Sequence, residues 1–151
     1  MGRFDERVAL ITGAASGIGR ATATRMAADG ATIVGFDRND HGLTSLAAEI
    51  TAAGGTMTTV TGDVSDRTDC IAAVDAAVST HGRLDILANV AGVTWAEHVA
   101  DITEAGWNQM MDINVSGSFW CAQAALPHLL EHHGNIVNIA SNAGLMGQAY
   151  T

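Results

Sequence analysis

Basic side chains are scarce in this chain. Seven Lys and Arg stand against 16 Asp and Glu, for a net charge of −9. No basic cluster is present to neutralise phosphates, which disfavours nucleic acid and anionic membrane surfaces as partners. Aromatics make up only 5% of residues, which argues against a sandwich of bulky side chains. Two cysteines, Cys70 and Cys121, are too few for a disulfide framework and fit a reducing cytoplasm. The opening MGRFDERVALITG puts charges before a short apolar run that ends in glycine. That is the pattern of neither a signal peptide nor a membrane span. No repeat, linker or low-complexity segment stands out.

What is abundant is small and apolar. The 151 residues are 48% hydrophobic and 15% charged, with alanine and glycine prominent. This suits one domain, 1–151, of helices packed closely on a sheet. RVALIT (7–12) is a continuous apolar run, as a strand buried on both faces requires. Glycines follow, then a helical stretch to Asp29 closed by Gly30. ATIVGFD (31–37) reads as a second strand. Leu43, Leu46, Ala47 and Ile50 share one face of a helix over 41–53. TMTTVTGDV (56–64) reads as a third strand. Ser65 or Asp66 can cap the next helix, whose apolar face is Ile71, Val74 and Val78 and which Gly82 ends. LDILANV (84–90) is the fourth strand. A long helical region, Thr103 to Leu130, is expected to break near Asn108. NIVNIA (135–140) is the fifth strand. Alternating strands and helices predict an α/β fold: a doubly wound, Rossmann-type parallel sheet with right-handed crossovers.

TGAASGIG (12–19) lies between the first strand and the first helix. Gly13 permits a tight turn, Gly17 lets a pyrophosphate approach the backbone, and Gly19 lets the helix pack on the sheet. The helix N-terminus then offers free N–H groups and a positive dipole to phosphates. Ser16 and Ile18 complete the cofactor-binding loop. Asp37, at the end of the second strand, can accept hydrogen bonds from both ribose hydroxyls and would repel a 2′-phosphate. Arg38 beside it could tolerate that phosphate. The balance favours NAD over NADP.

Together these motifs resemble the short-chain dehydrogenase/reductase family, over essentially the whole chain. TGAASGIG matches that family's cofactor loop. GDV places Asp63 and Val64 where the family contacts adenine. NVAG (89–92) is similar to the family's N-N-A-G stretch, which lies beside the cofactor, so Asn89, Ala91 and Gly92 join the cofactor-binding set. Val90 replaces the second Asn. DINVSG puts Asn114 at the catalytic Asn position, and IVNIAS puts Ser141 at the catalytic Ser position. The resemblance implies hydride transfer between a nicotinamide and an alcohol or carbonyl substrate, with Ser141 bonding the substrate oxygen and Asn114 holding a water. Each has a structural alternative: Asn114 satisfying backbone groups in a kinked helix, and Ser141 capping a strand end.

The resemblance also implies a catalytic Y-x-x-x-K pair. Tyr150 follows Ser141 too closely to be that tyrosine, and no lysine stands four residues after it. The chain is therefore expected to be an N-terminal part lacking the catalytic Tyr and Lys. Only five of the family's seven strands are then present, truncated on the sixth-strand side, and the homo-oligomer usual in the family needs the complete protein. The alternative is a noncatalytic dinucleotide-binding or oligomerisation module. His128 and His132 are spaced to share a metal, but no third ligand is near. They suit a helix C-terminus, and no metal is expected. Cys70 and Cys121 are expected to be packing residues, and Met110, Met111, Phe119 and Trp120 core or subunit-contact surface.

Overall fold

The computed structural model describes residues 2–146. Five parallel strands form one sheet in the order β3-β2-β1-β4-β5. They are β1 (Val8–Thr12), β2 (Thr32–Asp37), β3 (Thr56–Thr61), β4 (Ile86–Asn89) and β5 (Asn135–Asn138). The helices are α1 (Gly17–Ala28), α2 (Asp40–Ala52), α3 (Arg67–His81), α4 (Glu104–Met111) and α5 (Gly117–Glu131). The sheet is the doubly wound, Rossmann-type arrangement, with strand order reversing between β1 and β4.

The apolar runs explain the two layers. Successive side chains of a strand point to opposite faces. In β1, Val8 and Leu10 enter a cluster with Cys70, Val74 and Cys121 on the α3–α5 side. Ala9 and Ile11 enter a second cluster with Met26, Leu43 and Leu46 on the α1–α2 side. On α2, Leu43, Leu46 and Ile50 are buried, each contributing roughly 1.5–3 kcal/mol. That burial holds a helix whose polar face is solvated.

The strands are shorter than the sequence predicts. β3 stops at Thr61, β4 at Asn89 and β5 at Asn138, because the residues beyond leave the ladder to form loops at the sheet's C-terminal edge. Asp66, not Ser65, caps α3: its Oδ1 accepts from Thr68 N–H at 2.7 Å. The buried face of α3 is Cys70, Ala73, Val74 and Ala77, while Ile71 is 40% exposed. Small residues let α3 approach α5 closely, and Ile71 turns away from that contact. The long helix is not broken at Asn108. It opens into a π-helical turn at Asp112–Ser116, between α4 and α5. Such turns insert a residue into the helix and often mark functional positions.

Both cysteines are free and buried. Cys121, which donates its S–H to Cys70 Sγ and is cut off from solvent, has its thiol pushed above the ordinary value, so it packs as a protonated group. Trp120 leans on the α3–α5 cluster, edge-on to Phe119 at 5.0 Å and beneath Arg67 at 5.0 Å. Immediately before β4, Asp85 is buried, accepting from Arg7 at 2.6 Å and from Arg83 at 2.7 and 2.8 Å. No helix among the described residues is long and apolar enough to cross a membrane.

Candidate cofactor-binding site

A cleft of about 390 Å³ opens at the C-terminal ends of the strands. This is where strand order reverses and where open α/β sheets bind ligands. Gly13, Ser16, Gly17, Ile18 and Gly19 form one wall, from the loop after β1 and the start of α1. Asp37 and Arg38 follow β2, and Gly62, Asp63 and Val64 follow β3. Val90, Ala91, Gly92 and Val93 follow β4.

The α1 wall is built to meet an anion. Asn39, Asp66 and Thr103 cap α2, α3 and α4 through their side chains. Ser16 begins α1 with no side-chain cap, so the first-turn amides keep their positive end for a ligand. Gly17 has φ +52°, and a Cβ placed on it meets no atom within 4 Å. Its backbone is therefore bare toward the cleft. A Cβ on Gly19 would collide with the Gly13 carbonyl, so only glycine lets α1 start against the loop.

The Asp37 carboxylate is fixed at both oxygens: Oδ2 accepts from Ala15 N–H at 3.0 Å and Oδ1 from Asn39 N–H at 2.9 Å. Each oxygen retains acceptor capacity for a hydroxyl. Asp63 uses Oδ1 on Ser65, accepting from its N–H at 2.9 Å and its hydroxyl at 2.8 Å. With the open Gly17 backbone, the uncapped α1 and the anchored Asp37, the residues fit the adenosine-pyrophosphate part of a dinucleotide.

Not every predicted residue reaches the cleft. Asn89 is buried beneath it, donating to Ser118 O at 3.2 Å and Asn138 Oδ1 at 2.9 Å. Its own Oδ1 is buried and accepts from no group among the described residues. Asn114 sits within the π turn, and both ends of its amide grip Val93. Oδ1 accepts from Val93 N–H at 2.8 Å, and Nδ2 donates to Val93 O at 2.9 Å. Its side chain is thus occupied by backbone and ties the helix to the wall after β4. Ser141 is exposed, outside the cleft lining, and its Oγ accepts from Ala143 N–H at 3.2 Å to cap a short 3₁₀ turn. Tyr150 lies outside the described residues.

Sequence reasoning overlooked Thr12 and Asp69. Thr12 is buried, and its hydroxyl oxygen accepts from two successive amides of the opposite wall. Asp69 accepts from Asp63 N–H at 2.9 Å. The motif TG flags the threonine; nothing local marks the aspartate, which reads as one more acid in the first turn of a helix. Among the described residues no group of three or more His, Cys, Asp or Glu is placed to hold a metal ion.

Comparison with known proteins agrees with this architecture. The 3beta-hydroxysteroid dehydrogenase of Mediterraneibacter gnavus is 38% identical over 149 residues, covering 97% of this chain and 54% of that protein. The D-threitol dehydrogenase of Mycolicibacterium smegmatis is 42% identical over 142 residues, covering 93% of this chain and 55% of the relative. Carveol dehydrogenase from Mycobacterium avium, solved in complex with NAD, superposes with a TM-score of 0.94 at 32% identity. That match spans 100% of this chain and 60% of the solved one. This chain thus spans between half and two thirds of the length of these proteins. The profile of the short chain dehydrogenase family matches residues 7–151. With the glycine loop, strand order and cleft in agreement, the chain belongs to the short-chain dehydrogenase family.

Proposed function

We propose that this chain is the cofactor-binding part of an NAD-dependent oxidoreductase that acts on an alcohol or carbonyl compound. The observation that carries the reading is Asp37, whose anchored carboxylate lines the same cleft as the open Gly17 backbone. A carboxylate there accepts from the adenosine ribose hydroxyls and disfavours the 2′-phosphate of NADP. Gly13, Ser16, Gly17, Ile18 and Gly19 hold the pyrophosphate on the α1 dipole. Asp63 and Val64 face the adenine, and Ala91 and Gly92 the far side, with Asn89 supporting them from below. A bound nicotinamide supplies or accepts the hydride. Ser141 donates its hydroxyl hydrogen to the substrate oxygen where charge develops. Asn114 holds the π turn against Val93 so that this wall keeps its shape. Two free, buried cysteines suit a reducing compartment such as the cytoplasm.

Trp107, Met111, Val115 and Phe119 recur every four residues along α4, the π turn and α5, and are 37–58% exposed. That row supports a homo-oligomer in which a second copy covers it. A noncatalytic dinucleotide-binding module is the second reading. It is favoured by Ser141 lying exposed, outside the cleft, with its Oγ used as a cap.

Titration calorimetry with NAD and NADP tests the proposal. Saturable NAD binding, tighter than NADP, is expected; absence of binding to either removes it. Reduction of NAD in the presence of a panel of alcohols, measured on a protein in which this chain is joined to the Tyr and Lys that the family resemblance implies, separates the two readings, because only the enzyme turns over.

A further inference from the structure

Resting on that reading of the cleft, we propose that Asp69 and Cys70 are positioning residues for the adenine end of the site. Neither lines the cleft. They act through the backbone of Asp63 and Val64, which do.

The β2–β3 ladder ends at the pair Asp37–Thr61. One further backbone bond, Gly62 N–H to Asp37 O at 3.1 Å, carries the chain off the sheet. Beyond it, Asp63 and Val64 have no strand beside them. Their backbone groups are met instead by two consecutive side chains of α3. Asp69 Oδ2 accepts from Asp63 N–H at 2.9 Å, and Cys70 Sγ donates to Val64 O at 3.2 Å. An N–H and a C=O that would otherwise lack partners are thereby satisfied. The Asp63 side chain is turned instead to Ser65, whose N–H and hydroxyl its Oδ1 accepts.

The grip is tight on both sides. A Cβ on Gly62 would lie 2.9 Å from Asp69 Oδ2, so the carboxylate is seated directly against the chain. From α5, a Cβ on Gly117 would lie 2.9 Å from Val64 O and from Val64 Cβ. Cys70 is fully buried, so its bond to Val64 is shielded from water. The adenine-facing segment is thus held in one conformation by α3 side chains and α5 packing. Loosening it lowers the fraction of molecules competent to bind adenine, and apparent affinity falls by that fraction.

The test is calorimetric titration of NAD and of adenosine 5′-monophosphate into this chain and its variants. Asp69→Ala should weaken both ligands by the same factor, roughly 3- to 10-fold. Asp69→Asn should restore both, because the amide oxygen accepts the same N–H without the charge. Unchanged adenosine 5′-monophosphate affinity in Asp69→Ala, or Asp69→Asn as weak as Asp69→Ala, overturns the proposal. If Asp69→Ala gives no cooperative melt, Cys70→Ala against Cys70→Ser carries the same comparison: alanine should lose affinity and serine, still a donor, should keep it. Equal affinities for those two overturn it. A wild-type chain that binds neither ligand overturns the cofactor reading itself, a failure distinct from the one that removes only Asp69 and Cys70.

Discussion

Thr12 and Ala91 join the two walls of the cleft: the Thr12 hydroxyl oxygen accepts from Ala91 N–H at 3.0 Å, and from the preceding amide, Val90, also at 3.0 Å. One side chain at the end of β1 therefore satisfies two backbone donors after β4. Gly13, next in sequence, lies so close to this wall that a Cβ on it would come 2.9 Å from Ala91 Cα.

Thr12→Val keeps the shape and removes the acceptor. The Val90 and Ala91 amides then lose their partner, at about 1–3 kcal/mol for each group left unsatisfied. A lower urea midpoint with an unchanged slope is expected, and Thr12→Ser should restore it. A Thr12→Val midpoint equal to wild type would show that the two bonds contribute nothing.

Asp37→Ala should weaken NAD and narrow the gap between NAD and NADP. Charge-assisted hydrogen bonds to the ribose are worth about 1.5–3 kcal/mol, a loss of roughly 10- to 100-fold. Calorimetry with both cofactors reads it. Unaltered affinities for both would remove Asp37 from the site.

Gly17→Val should abolish NAD binding while sparing most of the fold. The new side chain enters open cleft space rather than the core, so no cavity or clash arises in the protein itself. Its φ of +52° costs a branched residue about 1–2 kcal/mol. Circular dichroism should show a cooperative melt at slightly lower temperature. Normal NAD affinity in that folded variant contradicts the loop assignment.

Asp85 ties stability to acid pH. Burial alone would raise its carboxyl, but Arg83, the Val8 amide and Arg7 outweigh that and bring it from 3.8 to about 2. A carboxylate depressed in the folded state stabilises fully above its unfolded value and ceases to do so as pH falls through the folded one. The contribution is about 2 kcal/mol, lost between pH 3.8 and about 2. Urea unfolding across that window should show wild type losing stability more steeply than Asp85→Asn. Parallel curves would refute the assignment.

Much of the architecture is legible in local pattern. Runs such as VALIT and TIVGFD, short and bounded by turn residues, suit a strand buried on both faces, and glycines spaced at 13, 17 and 19 announce a loop against a helix start. The details that fail are those set by neighbours distant in sequence. The π turn falls at Asp112–Ser116 because Asn114 is gripped by Val93 and Gly117 packs on Val64, contacts no helical periodicity records. Ile71 reads as core by spacing, yet α5 approaches the small face of Cys70, Ala73 and Ala77. β3 reads through to Val64 by composition, but its pairing with β2 ends at Thr61, and α3 side chains bond the backbone of Asp63 and Val64 instead.

Residue order alone sets the class of fold, the glycine loop after β1 and the acid at the end of β2. Each depends on residues within a few positions of one another: periodic burial, glycine dihedrals, a strand-end carboxylate. Which side chains hold the cleft walls in place is decided by the packed layers alone. Thr12 reaches across 78 residues to Val90, Asn114 spans 21 to Val93, and Asp69 turns back to Asp63 across a loop. Such bonds satisfy backbone groups that leave the sheet, and the side chain that meets each of them is settled only when helices and sheet come together.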